Sequence, residues 1–184
     1  MYEQSQEIVL SNGSVSMFPN NLSVLRHEQK HATFACVAHK NQVNTVMWDP
    51  RMEGFNCDMI PIKDGAFEKP VLVLQVKYCI PACCTSPLLV IASTCGAMVF
   101  DPTTSKMLAW NPIITSTNNP GTNERCRFTR GISSLGNSIF VETHSGDIIV
   151  FFHCTSETSL QMRRPLQVIV TVTISHYHLS YRNA

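Results

Sequence analysis

Short segments of alternating apolar and polar residues, separated by turn residues, run through most of the chain, the signature of half-buried strands. Leu22-Ser23-Val24-Leu25 and Ala32 to Ala38 flank a charged stretch, Arg26 to Lys30. Val43 to Trp48 follows the polar turn His39 to Gln42 and stops at Asp49-Pro50. Arg51 to Lys69 has mixed polarity with Gly54, Pro61 and Gly65, and Pro70 follows it, so this stretch reads as a loop. Val71 to Ile80 reads as a strand, broken by Pro81 and Pro87. Leu88 to Ser93 and Ala97 to Phe100 form a hairpin across Thr94-Cys95-Gly96. Met107 to Trp110 is a brief strand ended by Asn111-Pro112, and a polar loop from Thr115 to Arg125 centres on Pro120-Gly121. Phe128 to Leu135, Ser138 to Thr143 and Ile148 to Phe152 follow, the last two separated by Ser145-Gly146-Asp147. Leu22, Leu25 and Gln29 offer one turn of helical spacing, with His27 and His31 at i, i+4. The apolar face then runs out, so strand and loop are preferred.

The segments repeat. Gly96 and Gly146 stand about 50 residues apart, and each sits between two apolar strands, the second of which ends in aromatic residues. Thr/Ser-rich turns follow, Pro102-Thr103-Thr104-Ser105-Lys106 in one copy and Thr155-Ser156-Glu157-Thr158 in the other. A fainter copy, Val46-Met47-Trp48-Asp49, precedes Met98-Val99-Phe100-Asp101 by about the same interval. Four strands in about 50 residues is close to the period of a propeller blade.

Composition agrees with strands. Val, Ile and Thr make up roughly a quarter of the 184 residues, and β-branched side chains suit a pleated surface better than a helix. Hydrophobic residues are 44% and charged residues only 15%, which opposes disorder. The net charge of +1 lacks the basic surplus of a nucleic-acid binder. The longest apolar runs, Pro87 to Ala92 and Ile148 to Phe152, are far shorter than the ~18 residues of a membrane span. The only apolar patch near the start, Ile8-Val9-Leu10, follows Glu3 and Glu7 and does not read as a secretory signal. The expected compartment is therefore the cytoplasm, with the eight cysteines reduced and mostly acting as small buried hydrophobes. The sequons at Asn12 and Asn21 then carry no meaning.

The run from Leu88 to Lys106 (LLVIASTCGAMVFDPTTSK) resembles the second, third and fourth strands of a WD-repeat blade: buried strand, glycine turn, aromatic-Asp strand end, and a turn before lysine. Arg130 to Phe151 resembles a second blade. With Pro19-Asn20-Asn21-Leu22-Ser23-Val24-Leu25, these segments are similar to the N-terminal half of the WD repeat-containing protein 54 family, over about residues 15 to 155. The resemblance implies an all-β fold: a partial β-propeller of about three to three and a half four-stranded antiparallel blades. Residues 15–160 would form it, after an N-terminal tail at 1–14 and before a divergent strand or tail at 161–184. Only Trp48-Asp49 is a literal Trp-Asp pair; Phe100-Asp101 and Phe151-Phe152 stand at the later positions. The Gly-His dipeptide of typical blades is absent, so their buried Asp-His-Ser-Trp network cannot form in full. The family protein is longer and continues into clearer repeats. Val168 to Ile174 has strand composition and could complete a blade; an aberrant or truncated tail is the alternative.

Candidate chemistry is sparse. Cys79, Cys83 and Cys84 cluster, but no second short-spaced pair or histidine couple completes a four-ligand zinc site, so buried or loop thiols are the preferred reading. His176 and His178 could share one strand face and lack further ligands. His144, before the Ser145-Gly146 turn, has no carboxylate or nucleophile at motif spacing. The Gly96 and Gly146 turns lack the helix context of a phosphate loop. Arg125, Arg127 and Arg130 beside Phe128 read as a solvated strand edge ahead of a contact for an acidic partner or RNA. Met47, Met52, Met59, Met98 and Met107 read as core filler, and Trp48 and Trp110 are expected to pack between blades ahead of rimming the top face.

No catalytic, cofactor or metal residue is assigned. The expectation is a non-enzymatic protein-interaction scaffold, a fragment of a longer propeller. Its partners would be proteins, not nucleic acid or membrane. They would be met by the His39 to Gln42 turn, the Asp101 to Lys106 turn and the Thr115 to Arg125 loop. Propellers usually close with at least four blades. Open blade edges invite association, including self-association; either a partner covers the flanks or the chain is poorly stable alone, and the second is expected. The alternatives are a β-domain whose Cys83, Cys84 and His144 converge on a metal or catalytic site, or a truncated product without independent function.

Overall fold

A computed structural model of the chain describes residues 7–10, 18–51, 54–64, 68–113, 128–152 and 167–173. Within them the strands pair in the order in which they are made. The first sheet contains β1 (Leu22–His27), β2 (Ala32–His39), β3 (Gln42–Trp48) and β4 (Asn56–Pro61). The second contains β5 (Val73–Cys79), β6 (Leu88–Ser93), β7 (Gly96–Asp101) and β8 (Lys106–Pro112). The third contains β9 (Thr129–Leu135), β10 (Ser138–Thr143), β11 (Asp147–Phe152) and β12 (Gln167–Thr173). Each neighbouring pair is antiparallel. Three successive four-stranded meanders are three blades of a partial β-propeller.

The blades stack face to face, and the stacking explains the sequence pattern. On β2, Ala32, Phe34, Cys36 and Ala38 alternate inward. With Val43 and Ile60 they pack against Val73, Val76, Tyr78, Leu89, Ile91, Met98 and Phe100 of the second blade. The other face of that blade, through Val90, Ala92, Ala97 and Val99, packs against Ile132, Ile139, Val141, Ile149 and Phe151 of the third. The middle blade is thus covered on both sides, and every residue of β6 is buried. A strand buried on both faces has no polar face to show, so Leu88 to Ala92 is an uninterrupted apolar run.

The structure corrects several sequence readings. The stretch Arg51 to Lys69 contains the strand Asn56–Pro61, followed by an isolated bridge between Lys63 and Pro70. This outermost strand buries only Ile60, so no alternation marks it. β8 runs through Asn111 and Pro112 instead of ending before them; an edge strand tolerates proline because no further strand needs its N–H. β1 continues past Leu25 through Arg26 to His27, and Glu28–Lys30 forms a single 3-10 turn. In agreement with the strand composition of Val168 to Ile174, β12 pairs with β11 from Asp147↔Thr173 to Phe152↔Gln167 and completes the third blade. At Gly96, with φ +149, an added Cβ would overlap the Asn111 carbonyl and Pro112 Cα, so this turn admits only glycine.

Candidate functional site

Alternating strand directions sort the connections onto two ends of the blade stack. The first end carries the β1–β2, β5–β6 and β9–β10 connections, together with β3–β4 and β7–β8. The second carries the β2–β3, β6–β7 and β10–β11 turns and the links that lead from one blade to the next. The His39 to Gln42 turn therefore lies at the second end and the Asp101 to Lys106 turn at the first, so these two candidate contacts do not form one surface. The Thr115 to Arg125 loop lies outside the described residues.

At the first end the β5–β6 connection, residues 80–87, spans all three blades. Cys84 N donates to Pro81 O at 2.8 Å, closing a turn, and Ala82 N donates to Gly136 O of the third blade at 2.8 Å. Toward the first blade, His27 Nε2 donates to Thr85 O at 3.1 Å and Lys30 Nζ to Ser86 Oγ at 2.6 Å. His27 Nδ1 accepts from Lys30 N at 3.1 Å, so this pattern assigns a neutral imidazole with its proton on Nε2. The buried imidazole satisfies both nitrogens and joins two blades. Nearby, Arg51 pairs with Asp49 at 2.6 Å and donates to Lys30 O at 3.1 Å. The Arg51 side chain and backbone N–H hold the Asp49 carboxyl at about 2. Beyond them Trp48, 44% exposed, tilts against Phe55 at 6.2 Å. Ser105 Oγ donates to Asp58 Oδ2, linking the outer parts of the first two blades.

At the second end, buried hydroxyls tie the second blade to the third. Ser93 Oγ donates to Gly96 O at 2.6 Å, and Thr129 Oγ1 accepts from Ser93 N at 2.9 Å. Thr129 Oγ1 also lies 3.1 Å from Ser93 O and 3.0 Å from Gly96 O. The start of the third blade is thereby fixed to the β6–β7 turn of the second. The same relation joins the first two blades, where Val73 N donates to Lys40 O at 2.7 Å. In the third blade Thr143, Ser145 and Asp147 bond among themselves, and His144 lies against Phe128 with ring centroids 5.7 Å apart.

The residues singled out for chemistry do not converge. Cys79 is buried on β5, while Cys83 and Cys84 are half-buried at the first end beside Gly136. His144 stands at the opposite end of β10, a strand of 6 residues and hence ~20 Å away. Among the described residues no group of three or more His, Cys, Asp or Glu is arranged to hold a metal ion. Arg130 is exposed on the edge strand β9, opposite Glu142 in register; Arg125, Arg127, His176 and His178 lie outside the described residues. Trp110 packs against the first core as expected, whereas Trp48 rims the first end instead of packing between blades. Met98 is core, but Met59 and Met107 are exposed, correcting the core reading for those two; Met52 is outside the described residues. Sequence reasoning missed His27 and Thr129, whose roles come from partners 58 and 36 residues away.

Comparison with known proteins bears on this architecture. The family model described as WDR54 matches residues 1–166. Human WD repeat-containing protein 54 is 28% identical over 151 residues, covering 82% of this chain and 43% of the human protein. Rat WD repeat domain 54 is 28% identical over the same shares, and mouse WD repeat-containing protein 54 is 26% identical. The chain spans less than half the length of these curated relatives. No solved structure matches it. With three consecutive blades and a family match over most of its residues, the chain belongs to the WD repeat-containing protein 54 family.

Proposed function

We propose that this chain is a non-enzymatic WD-repeat scaffold of the cytoplasm that binds other proteins and forms part of a longer propeller. The observation that carries the reading is the cross-blade anchoring of the turns at both ends. His27 to Thr85, Val73 to Lys40 and Thr129 to Ser93 each connect one blade to the next, so the loops project from one frame. Variable loops on a fixed frame suit recognition, because side chains change there without disturbing the core. No helix among the described residues is long and apolar enough to cross a membrane.

The first end offers the better contact surface. Trp48 and Arg51 are of the residue types that dominate protein-binding energies, Phe55 lies against Trp48, and Arg51 bonds to the exposed Glu28–Lys30 turn. Proximity labelling in cells, with the full chain and with Trp48→Ser plus Arg51→Ser, tests this. The variant is expected to lose a defined set of labelled proteins while its far-UV circular dichroism is unchanged. An identical set from both would remove the first end as the recognition surface.

A further inference from the structure

We infer that Cys83 and Cys84 form a bidentate site for a trivalent arsenical, two adjacent thiols closing on one arsenic centre at the first end of the blade stack. Three observations set this pair apart from the other described cysteines. Both thiols are free, half-buried and adjacent in sequence, whereas Cys36 and Cys79 are buried, Cys57 is exposed, and Cys95, though half-buried, has no cysteine next to it. The two side chains interact: the Cys83 thiol is among the groups that act on Cys84. The backbone under them is fixed by the 2.8 Å bond from Cys84 N to Pro81 O and by ties to Gly136 on one side and His27 on the other.

The adjacency selects the ligand. Neighbouring Cα atoms are about 3.8 Å apart across a trans peptide, below the roughly 4.4–6.8 Å usual for a disulfide. A direct S–S bond between Cys83 and Cys84 is therefore strained, and strained disulfides are readily reduced. One atom inserted between the sulfurs lengthens the bridge and relieves the strain. Sulfur ligands favour soft centres, and two thiols match the two exchangeable positions of a monosubstituted arsenoxide. The reaction balances without an oxidant. Two As–S bonds form, the As=O bond breaks, and the two thiol protons leave with the oxygen as water. Arsenic remains trivalent and each sulfur remains at the thiol level.

The test uses the native full chain, phenylarsine oxide and intact-mass spectrometry. The expected product is one adduct of the arsenical less one water. It should withstand excess glutathione, a monothiol, and be removed by 2,3-dimercaptopropanol. Fragment-ion mapping of the wild-type adduct, which needs no variant, should place arsenic on Cys83 and Cys84. Cys83→Ser and Cys84→Ser should each abolish the glutathione-resistant adduct, and Cys57→Ser and Cys95→Ser should retain it. Absence of the adduct from the wild type, arsenic mapped to any other cysteine, or retention in either of the first two variants overturns the site.

Discussion

Cys36 and Tyr78 show how a single buried contact makes stability depend on pH. Cys36 is fully buried beneath Tyr78, whose hydroxyl donates to Ala35 O at 3.4 Å and whose ring meets Phe34 edge-on at 5.9 Å. Burial pushes the Cys36 thiol from 9.0 up to about 12, against smaller opposing effects from hydrogen bonds to the Ser23 backbone and the Tyr78 side chain. Burial also raises Tyr78. Between about pH 9 and about 12 the unfolded thiol has lost its proton while the folded one keeps it. The unfolded state then binds fewer protons, so stability falls as pH rises, by at most about 1.4 kcal/mol per pH unit for each such group. Urea denaturation from pH 8 to 11 is expected to show this fall, and Cys36→Ala to flatten it. An unchanged slope in the variant would remove Cys36 as its source.

At the scale of elements, the Thr129 hydroxyl decides how firmly β9 sits on the second blade. Thr129→Val keeps the shape and removes the hydroxyl, leaving Ser93 N without its partner in a buried site. The expected loss is about 1–3 kcal/mol. Thr143→Val should cost less, because among the described residues Thr143 bonds within its own turn, to the exposed Ser145 and to Asp147 N. Equal losses in urea denaturation would mean that Thr129 has no special part in joining the blades. Most strands were legible in the sequence for a definite reason. Those with one buried face, such as β2 and β10, alternate, and β6, buried on both faces, forms an apolar run. β4 escaped because its Asn-Cys-Asp-Met-Ile-Pro sequence buries a single side chain. The interblade hydrogen bonds were not legible, although the packing of Trp110 between blades was. His27 looked like part of a charged stretch, and only the fold brings Thr85 to its Nε2.

At the scale of the molecule, the outward face of the first blade leaves Leu22 and Val24 57% and 61% exposed, and Leu135 on β9 is 78% exposed. Apolar side chains on an uncovered sheet favour association. Light scattering on the purified 20.6 kDa chain is expected to give a mass above the monomer at micromolar concentration, falling on dilution. Leu22→Lys with Val24→Lys should shift it toward the monomer, since both side chains already face solvent. A monomer with a cooperative melt at every concentration would show that these flanks do not drive assembly.

Because each sheet uses consecutive strands and no crossover, the order of synthesis is also the order of pairing. Ribosomes add roughly 5–20 residues per second, so each blade takes seconds to emerge, while a hairpin closes in about 1–10 μs. The first sheet can therefore assemble before Val73 has been translated. For those seconds Phe34, Cys36, Val43 and Ile60 form an uncovered apolar face awaiting β5. The nascent chain thus passes through a sticky one-sheet stage, and a holding chaperone at the exit tunnel would meet it there.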